Sequence, residues 1–159
     1  MAQIPTLHTP RLTLRAMRAS DHDALSALNA DPTFRRYLGD GRTWSREETW
    51  AAMETALGQW ALRGYGLFAV EREGVCIGRV GILHPAHWPE PELAWGIAPA
   101  LWGQGLGTEA ARTVLDWAFE RHGFPHLVSF ILTENHASAG VARKLGAFRD
   151  GTAELGGIL

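Results

Sequence analysis

The sequence predicts a mixed α/β fold, and three observations carry that prediction. Two apolar runs, Leu67 to Val70 and Val75 to Leu83, are joined by Glu71-Arg72-Glu73-Gly74, the pattern of an antiparallel hairpin. A second apolar stretch, Leu93 to Ile97, passes through a glycine loop into a helix-forming segment. A continuous apolar run then follows, Leu127 to Leu132, of the kind a parallel strand buried on both faces requires. Before the hairpin, Trp50 to Ala61, and after the glycine loop, Ala111 to Ala118, repeat their apolar residues at helical spacing.

In chain order, Leu12, Leu14 and Ala16 alternate with Arg11, Thr13 and Arg15, so Leu7 to Met17 is read as the first strand. Ser20 with Asp23 three residues on forms a capping-box pattern for a short helix on Ala24, Leu25 and Leu28, ended by Asp31-Pro32. Phe34 to Arg42 reads as a solvated connection, or as the lining of a substrate site, and closes in Gly39-Asp40-Gly41. Ser45 and Glu48 open an amphipathic helix that buries Trp50, Met53, Ala56, Leu57 and Trp60 and ends at Gly64. After the hairpin and the loop from His84 to Pro91 comes the strand from Glu92 to Ala98. The helix after the glycine loop stops at His122-Gly123 with Pro125 beyond, and Asn135 to Ser138 opens the last helix, capped by Gly146. Ala147 to Arg149 is expected to be strand again.

The 159 residues, 46% hydrophobic and 20% charged with a formal net charge of -2, suit a single domain over 1–159. The balanced charge offers no broad footprint for nucleic acid, and no apolar run approaches the roughly 18 residues that span a bilayer. No secretory signal is expected at Met-Ala-Gln-Ile-Pro, so the location is taken as cytoplasmic. The single cysteine, Cys76, lies in an apolar run and reads as a small core residue. The histidines show no metal-ligand spacing, so no metal is expected.

The glycine loop carries the chemistry. Gly103, Gly105 and Gly107 recur at every second position before a helix start, where backbone amides and the helix dipole favour an anion such as a pyrophosphate. A P-loop would need Gly-Lys-Ser/Thr where this chain has Gly107-Thr108-Glu109. A dinucleotide fingerprint would not interpose Pro99 to Trp102 or replace its third glycine by Thr108. A tight strand-to-helix turn with no ligand is the remaining alternative.

Leu101-Trp102-Gly103-Gln104-Gly105-Leu106-Gly107-Thr108-Glu109-Ala110 resembles the pyrophosphate loop of the GNAT superfamily of acetyl-coenzyme A-dependent N-acetyltransferases. Asn135-His-Ala-Ser138 to Lys144-Leu-Gly-Ala-Phe148 resembles that superfamily's second cofactor motif. Thr9-Pro10-Arg11-Leu12-Thr13-Leu14-Arg15 is similar to the start of its ribosomal-protein N-terminal alanine acetyltransferase branch, in which Trp102 in place of Gln or Arg is common. The resemblance implies a central, mostly antiparallel twisted sheet of six to seven strands with helices on both faces, and a parallel pair of strands splayed at the cofactor. It implies acetyl-coenzyme A on Gly103, Gln104, Gly105, Leu106, Gly107 and Thr108, with the pantetheine arm on the backbone of Trp95, Gly96, Ile97 and Ala98. Asn135 would hold the arm and Ser138 would protonate the leaving thiolate, although both residue types also suit helix capping.

The acceptor would be a primary amine, either a protein N-terminus or a small molecule. A carboxylate must take its proton, and Glu92 is the candidate base, ahead of Glu90 and His87 in the preceding loop. A strand amide near Gly96 or Ile97 would stabilise the developing oxyanion. A non-catalytic coenzyme A sensor is the alternative class. Arg149 to Leu159 leaves little room for closing strands, so a short C-terminal strand and a homodimer through the open sheet edge are expected.

Overall fold

Side-chain caps at their starts and glycines at their ends delimit several helices of the computed structural model, which describes residues 3–153. The helices are α1 (His22–Asn29), α2 (Pro32–Arg35), α3 (Arg46–Arg63), α4 (Leu106–Trp117) and α5 (His136–Lys144). The strands are β1 (Leu7–His8), β2 (Thr13–Arg15), β3 (Leu67–Arg72), β4 (Val75–Leu83) and β5 (Glu92–Ile97). At α3 the expected capping box is formed: Glu48 N–H donates to Ser45 Oγ at 3.1 Å and Ser45 N–H to Glu48 Oε2 at 2.8 Å. Gly64 closes that helix in the left-handed region. The box expected at Ser20 and Asp23 is not formed. Asp21 takes its place, accepting the Arg18 N–H at 2.8 Å, because its carboxylate is already fixed by both terminal nitrogens of Arg15.

The single strand expected from Leu7 to Met17 is two. Pro10 has no N–H to give to a ladder, and Thr9 turns the chain by donating its N–H to Leu12 O while its hydroxyl accepts the Leu12 N–H. β1 therefore folds back on β2, with Leu7 opposite Leu14. The hairpin forms as expected, with Glu73 and Gly74 both at positive φ, so its strands run on to a two-residue turn. Val70 lies opposite Gly78 while Glu71 lies opposite Cys76, which leaves Ile77 as a bulge in β4.

All five strands are antiparallel, in the order β1-β2-β3-β4-β5. Six or seven were expected. Leu127 to Leu132 meets β5 only through a parallel bridge between Val128 and Glu92. Beyond it, side chains take over the bonds a ladder would have used: Phe130 N–H goes to Glu92 Oε2 at 2.9 Å and Ser129 Oγ to Leu93 O at 2.7 Å. The two segments consequently part after one bridge. Ala147 to Arg149 pairs with no strand among the described residues, and of Thr152 to Leu155, where the short closing strand is expected, the last two residues lie outside them with Gly156 to Leu159.

Helices cover both faces of the sheet. Leu14, Phe68, Val70, Val80, Leu93 and Ile97 pack with Leu106, Ala110, Ala111 and Val114 of α4. On the other face Met17 and Ala69 pack with Leu25 of α1 and with Met53 and Ala56 of α3. Trp50, expected in the core, is 40% exposed and bonds Glu54, because the buried stripe of α3 runs Thr49, Met53, Ala56, Trp60. Cys76 is half-buried and burial raises its thiol pKa, which suits a packing residue. Across the second face, neighbouring strands align Arg15, Ala69, Arg79 and Gly96 in one row. No helix among the described residues is long and apolar enough to cross a membrane.

Candidate active site

Gly103 and Gly105 hold φ of 80° and 76°, and a β-carbon at either would meet no backbone within 4 Å. Their lack of a side chain meets a conformational demand and keeps the approach open. Gly107, expected to do the same, sits instead within α4 and faces Ile97 across ordinary contact distance. From Gly103 to Thr108 no backbone N–H finds a backbone acceptor among the described residues, and the first helical bond is Glu109 N–H to Gly105 O at 3.0 Å. A row of amides at the start of a twelve-residue helix is thus turned outward.

Glu109, in the first turn of that helix, is neutralised from the far end of the chain. It accepts the Thr9 hydroxyl at 2.6 Å, Arg11 N–H at 3.0 Å and Arg11 Nε at 2.9 Å. Burial alone would raise its pKa, but these bonds hold it below the ordinary carboxylate range. Arg72 donates to Gln104 Oε1 at 3.1 Å. Arg11 and Arg72 therefore border the loop, and sequence reasoning missed both as site residues. Arg11 stood in a segment singled out for its resemblance, yet nothing local ties it to a residue 98 positions later.

β5 supplies an open edge beside the loop. Leu93 N–H donates to Val128 O at 2.8 Å, away from β4, so Trp95 and Ile97 point their backbone groups the same way by strand alternation. Ile97 O is taken by the Trp102 indole at 2.7 Å, which gives that residue a structural reason to stand there. Trp95 and the Ile97 N–H have no ladder partner on this side among the described residues. Of the other two expected backbone contacts, Gly96 turns toward β4 and the Ala98 N–H is spent on Ile77 O at 2.8 Å. Leu127 to Leu132 leaves β5 in the parallel sense after the bridge at Glu92, and the helix that follows, α5, is tied to α4 by Arg112, which donates to Lys144 O at 2.7 Å and to Leu145 O at 3.3 Å. Asn135 and Ser138 are half-buried at that helix start, with Ser138 N–H on Asn135 Oδ1 at 3.2 Å. Asn135 is therefore a cap, and its amide nitrogen and the Ser138 hydroxyl remain uncommitted among the described residues.

Glu92 lies at the other end of β5, 9% exposed, with Oε2 accepting the Phe130 N–H. Burial pushes its carboxyl up to about 7, against the opposing pull of that N–H and of the Arg79 charge. Glu90 is half-buried and pairs with His126 at 2.6 Å. The segment from Phe34 to Arg42 is only in part a solvated connection: Arg36, Gly39, Asp40 and Arg42 are exposed, whereas Phe34 and Arg35 are buried, and a β-carbon at Gly96 would lie 3.0 Å from the Phe34 ring. Arg35 donates to Arg42 O at 2.9 Å and lies 4.0 Å over the Trp44 ring. Burial and then repulsion from Arg79 push it down to about 10. A surface depression of about 550 Å³ lined by Gln3, Thr6, Trp117 and His122 shares none of these residues.

Residues 11–147 match the family model described as an acetyltransferase (GNAT) domain. The chain is 29% identical over 156 residues to FsC-acetyl coenzyme A-N(2)-transacetylase of Aspergillus fumigatus, covering 89% of this chain and 64% of that protein's length. A solved acetyltransferase from Agrobacterium tumefaciens is 36% identical, with a TM-score of 0.88 over 98% of this chain and 90% of that one. RimL, a ribosomal L7/L12 alpha-N-protein acetyltransferase solved with coenzyme A, shares the fold at a TM-score of 0.77 and 19% identity, over 89% of this chain and 82% of that one.

Proposed function

The chain belongs to the GNAT acetyltransferase family, and from that premise we propose that it moves acetyl from acetyl-coenzyme A to a primary amine by direct attack in a ternary complex. The observation that carries the proposal is continuity. A strand edge whose Trp95 backbone and Ile97 N–H find no partner among the described residues leads into amides from Gly103 to Thr108 that likewise find no backbone acceptor among them. The edge suits an arm rich in amides and the loop suits a pyrophosphate. When bound, acetyl-coenzyme A supplies the electrophile, an acetyl thioester.

This chain's own residues then divide the work. Glu92, with its pKa near 7, takes the proton that an aliphatic amine keeps at neutral pH. The Ile97 N–H, facing the open edge, donates to the oxyanion that develops during attack. Ser138 gives its hydroxyl proton to the departing sulfur and recovers one from solvent, while the Asn135 amide nitrogen holds the arm. Each assignment keeps the donor and acceptor free that its role requires.

A protein N-terminus is the first acceptor, supported by the opening segment from Thr9 to Arg15, and a small-molecule amine is the second, supported by similarity to the Aspergillus acetyl coenzyme A-N(2)-transacetylase. Free thiol released from acetyl-coenzyme A in the presence of a panel of amines and N-terminal peptides tests both. Coenzyme binding without thiol release from any acceptor would overturn transfer and favour a non-catalytic sensor.

A further inference from the structure

We propose that the acceptor amine carries a carboxylate a few bonds from its nitrogen, and that Arg79 binds that carboxylate. The inference rests on the acetyl-transfer reading and narrows its acceptor. It begins from a contrast between two buried arginines and a half-buried one. Arg15 is satisfied by two carboxylates, Asp21 at 2.8 Å and Glu71 at 2.6 Å. Arg35 is satisfied by two backbone carbonyls and an indole face. Arg79, in the same cross-strand row as Arg15, makes no hydrogen bond and no ion pair among the described residues, and its Nη1 is closed to solvent. A buried guanidinium without an acceptor carries an unrecovered desolvation cost.

The place of Arg79 says what the acceptor is for. It stands on β4 directly opposite Gly96, where its stem and the Phe34 ring close over the β5 backbone. Glu92, Ala94 and Gly96 share that face by strand alternation, so Arg79 and the proposed base look into one region. Glu92 attracts Arg79 from beyond ion-pair distance. Arg79 nevertheless keeps some exposed surface, as a residue in the wall of a cleft does. Trp88 repeats the condition. Its indole packs edge-on against Phe130, the residue whose N–H holds Glu92, and its Nε1 is buried and unpartnered.

Two donors without acceptors beside one carboxylate are complementary to an anion. Charge points the same way, because Arg35 and Arg79 repel each other across this region. A protonated amine with no negative group would add a third positive charge, whereas an amine with its own carboxylate brings the missing counter-charge to Arg79 and its nitrogen to Glu92. The carboxylate can be the α-carboxylate of a free amino acid or an acidic side chain beside a peptide N-terminus. The shared requirement is an oxyanion near the amine.

The test compares kcat/KM for L-alanine against L-alaninamide, and for a peptide beginning Ser-Asp against one beginning Ser-Asn, in the native protein and in Arg79→Gln. Comparing each ratio between the two proteins cancels the difference in intrinsic amine reactivity between the members of a pair. The preference for the carboxylate member should fall at least about tenfold in one pair, the size of a lost charge-assisted hydrogen bond, and that pair identifies the source. Arg79→Lys, which keeps the charge, should retain part of the preference and guards against a folding defect in the first variant. An unchanged preference in both pairs would overturn the proposal. Should no amine release thiol, acetyl transfer fails, and the same ratios taken from calorimetric Kd values decide the carboxylate inference separately.

Discussion

Glu92 binds its proton more tightly in the folded chain than its ordinary value near 4.5 allows, because it is buried. Two outcomes follow from that sign. As a base it works when ionised, so kcat/KM should rise with pH up to about 7, and Glu92→Gln should lower turnover and erase that limb while leaving coenzyme affinity nearly intact. The unfolded chain releases this proton first, so the buried carboxyl loses stability as pH rises from about 4.5 through 7, and Glu92→Gln should melt higher than the native protein above pH 7. A pH–rate profile and a melt at two pH values check the pair. Gly105→Val should weaken coenzyme binding sharply in calorimetry, since a branched side chain opposes φ of 76° at a strain of about 1–3 kcal/mol and crowds the Arg11 guanidinium 3.6 Å away. The place of Glu92 at the strand mouth was legible in the sequence. The solitude of Arg79 was not, since what surrounds a guanidinium depends on three other segments meeting it.

Among elements, those governed by neighbours a few residues apart were readable: the Ser45 and Glu48 box, the Glu73-Gly74 turn, and the helix that follows the glycines. Those decided by distant partners were not. Alternation alone ran one strand through Pro10, and apolarity alone made Leu127 to Leu132 a full strand where Phe130 and Ser129 divert the ladder to side chains. The anchor between β2 and the turn before α1 is short in sequence, but its arginine is shared with Glu71 on β3. Arg15 and Asp21 are 6% and 3% exposed and doubly bonded, so Asp21→Ala should cost about 3–5 kcal/mol by leaving a buried guanidinium short of a partner. Burial alone would raise the Asp21 pKa, but bonds from Arg15 and Arg18 carry it below 3.8. That stabilisation is complete above 3.8 and is lost as pH falls through the lowered value. Denaturant melts of the variant and acid titration of the native chain check both statements.

At the scale of the whole molecule, outward amides at Gly103 to Thr108 and an unpartnered edge at β5 leave binding energy unused in the free chain. Coenzyme A present at a hundred times its Kd should add about 2.7 kcal/mol and raise the melting temperature, and an unchanged melt would argue against the loop as its site. Self-association is a separate proposal, and light scattering at high protein concentration decides it. The bonds from Thr9 and Arg11 to Glu109 span almost a hundred residues, whereas the β3–β4 hairpin closes across two. During synthesis the hairpin can therefore form as soon as it emerges, while the clamp on the glycine loop must wait until Glu109 has left the ribosome. Competence to hold the coenzyme is for this reason a late event in the life of each new molecule, and a nascent chain stalled before Glu109 would carry a finished hairpin and no site.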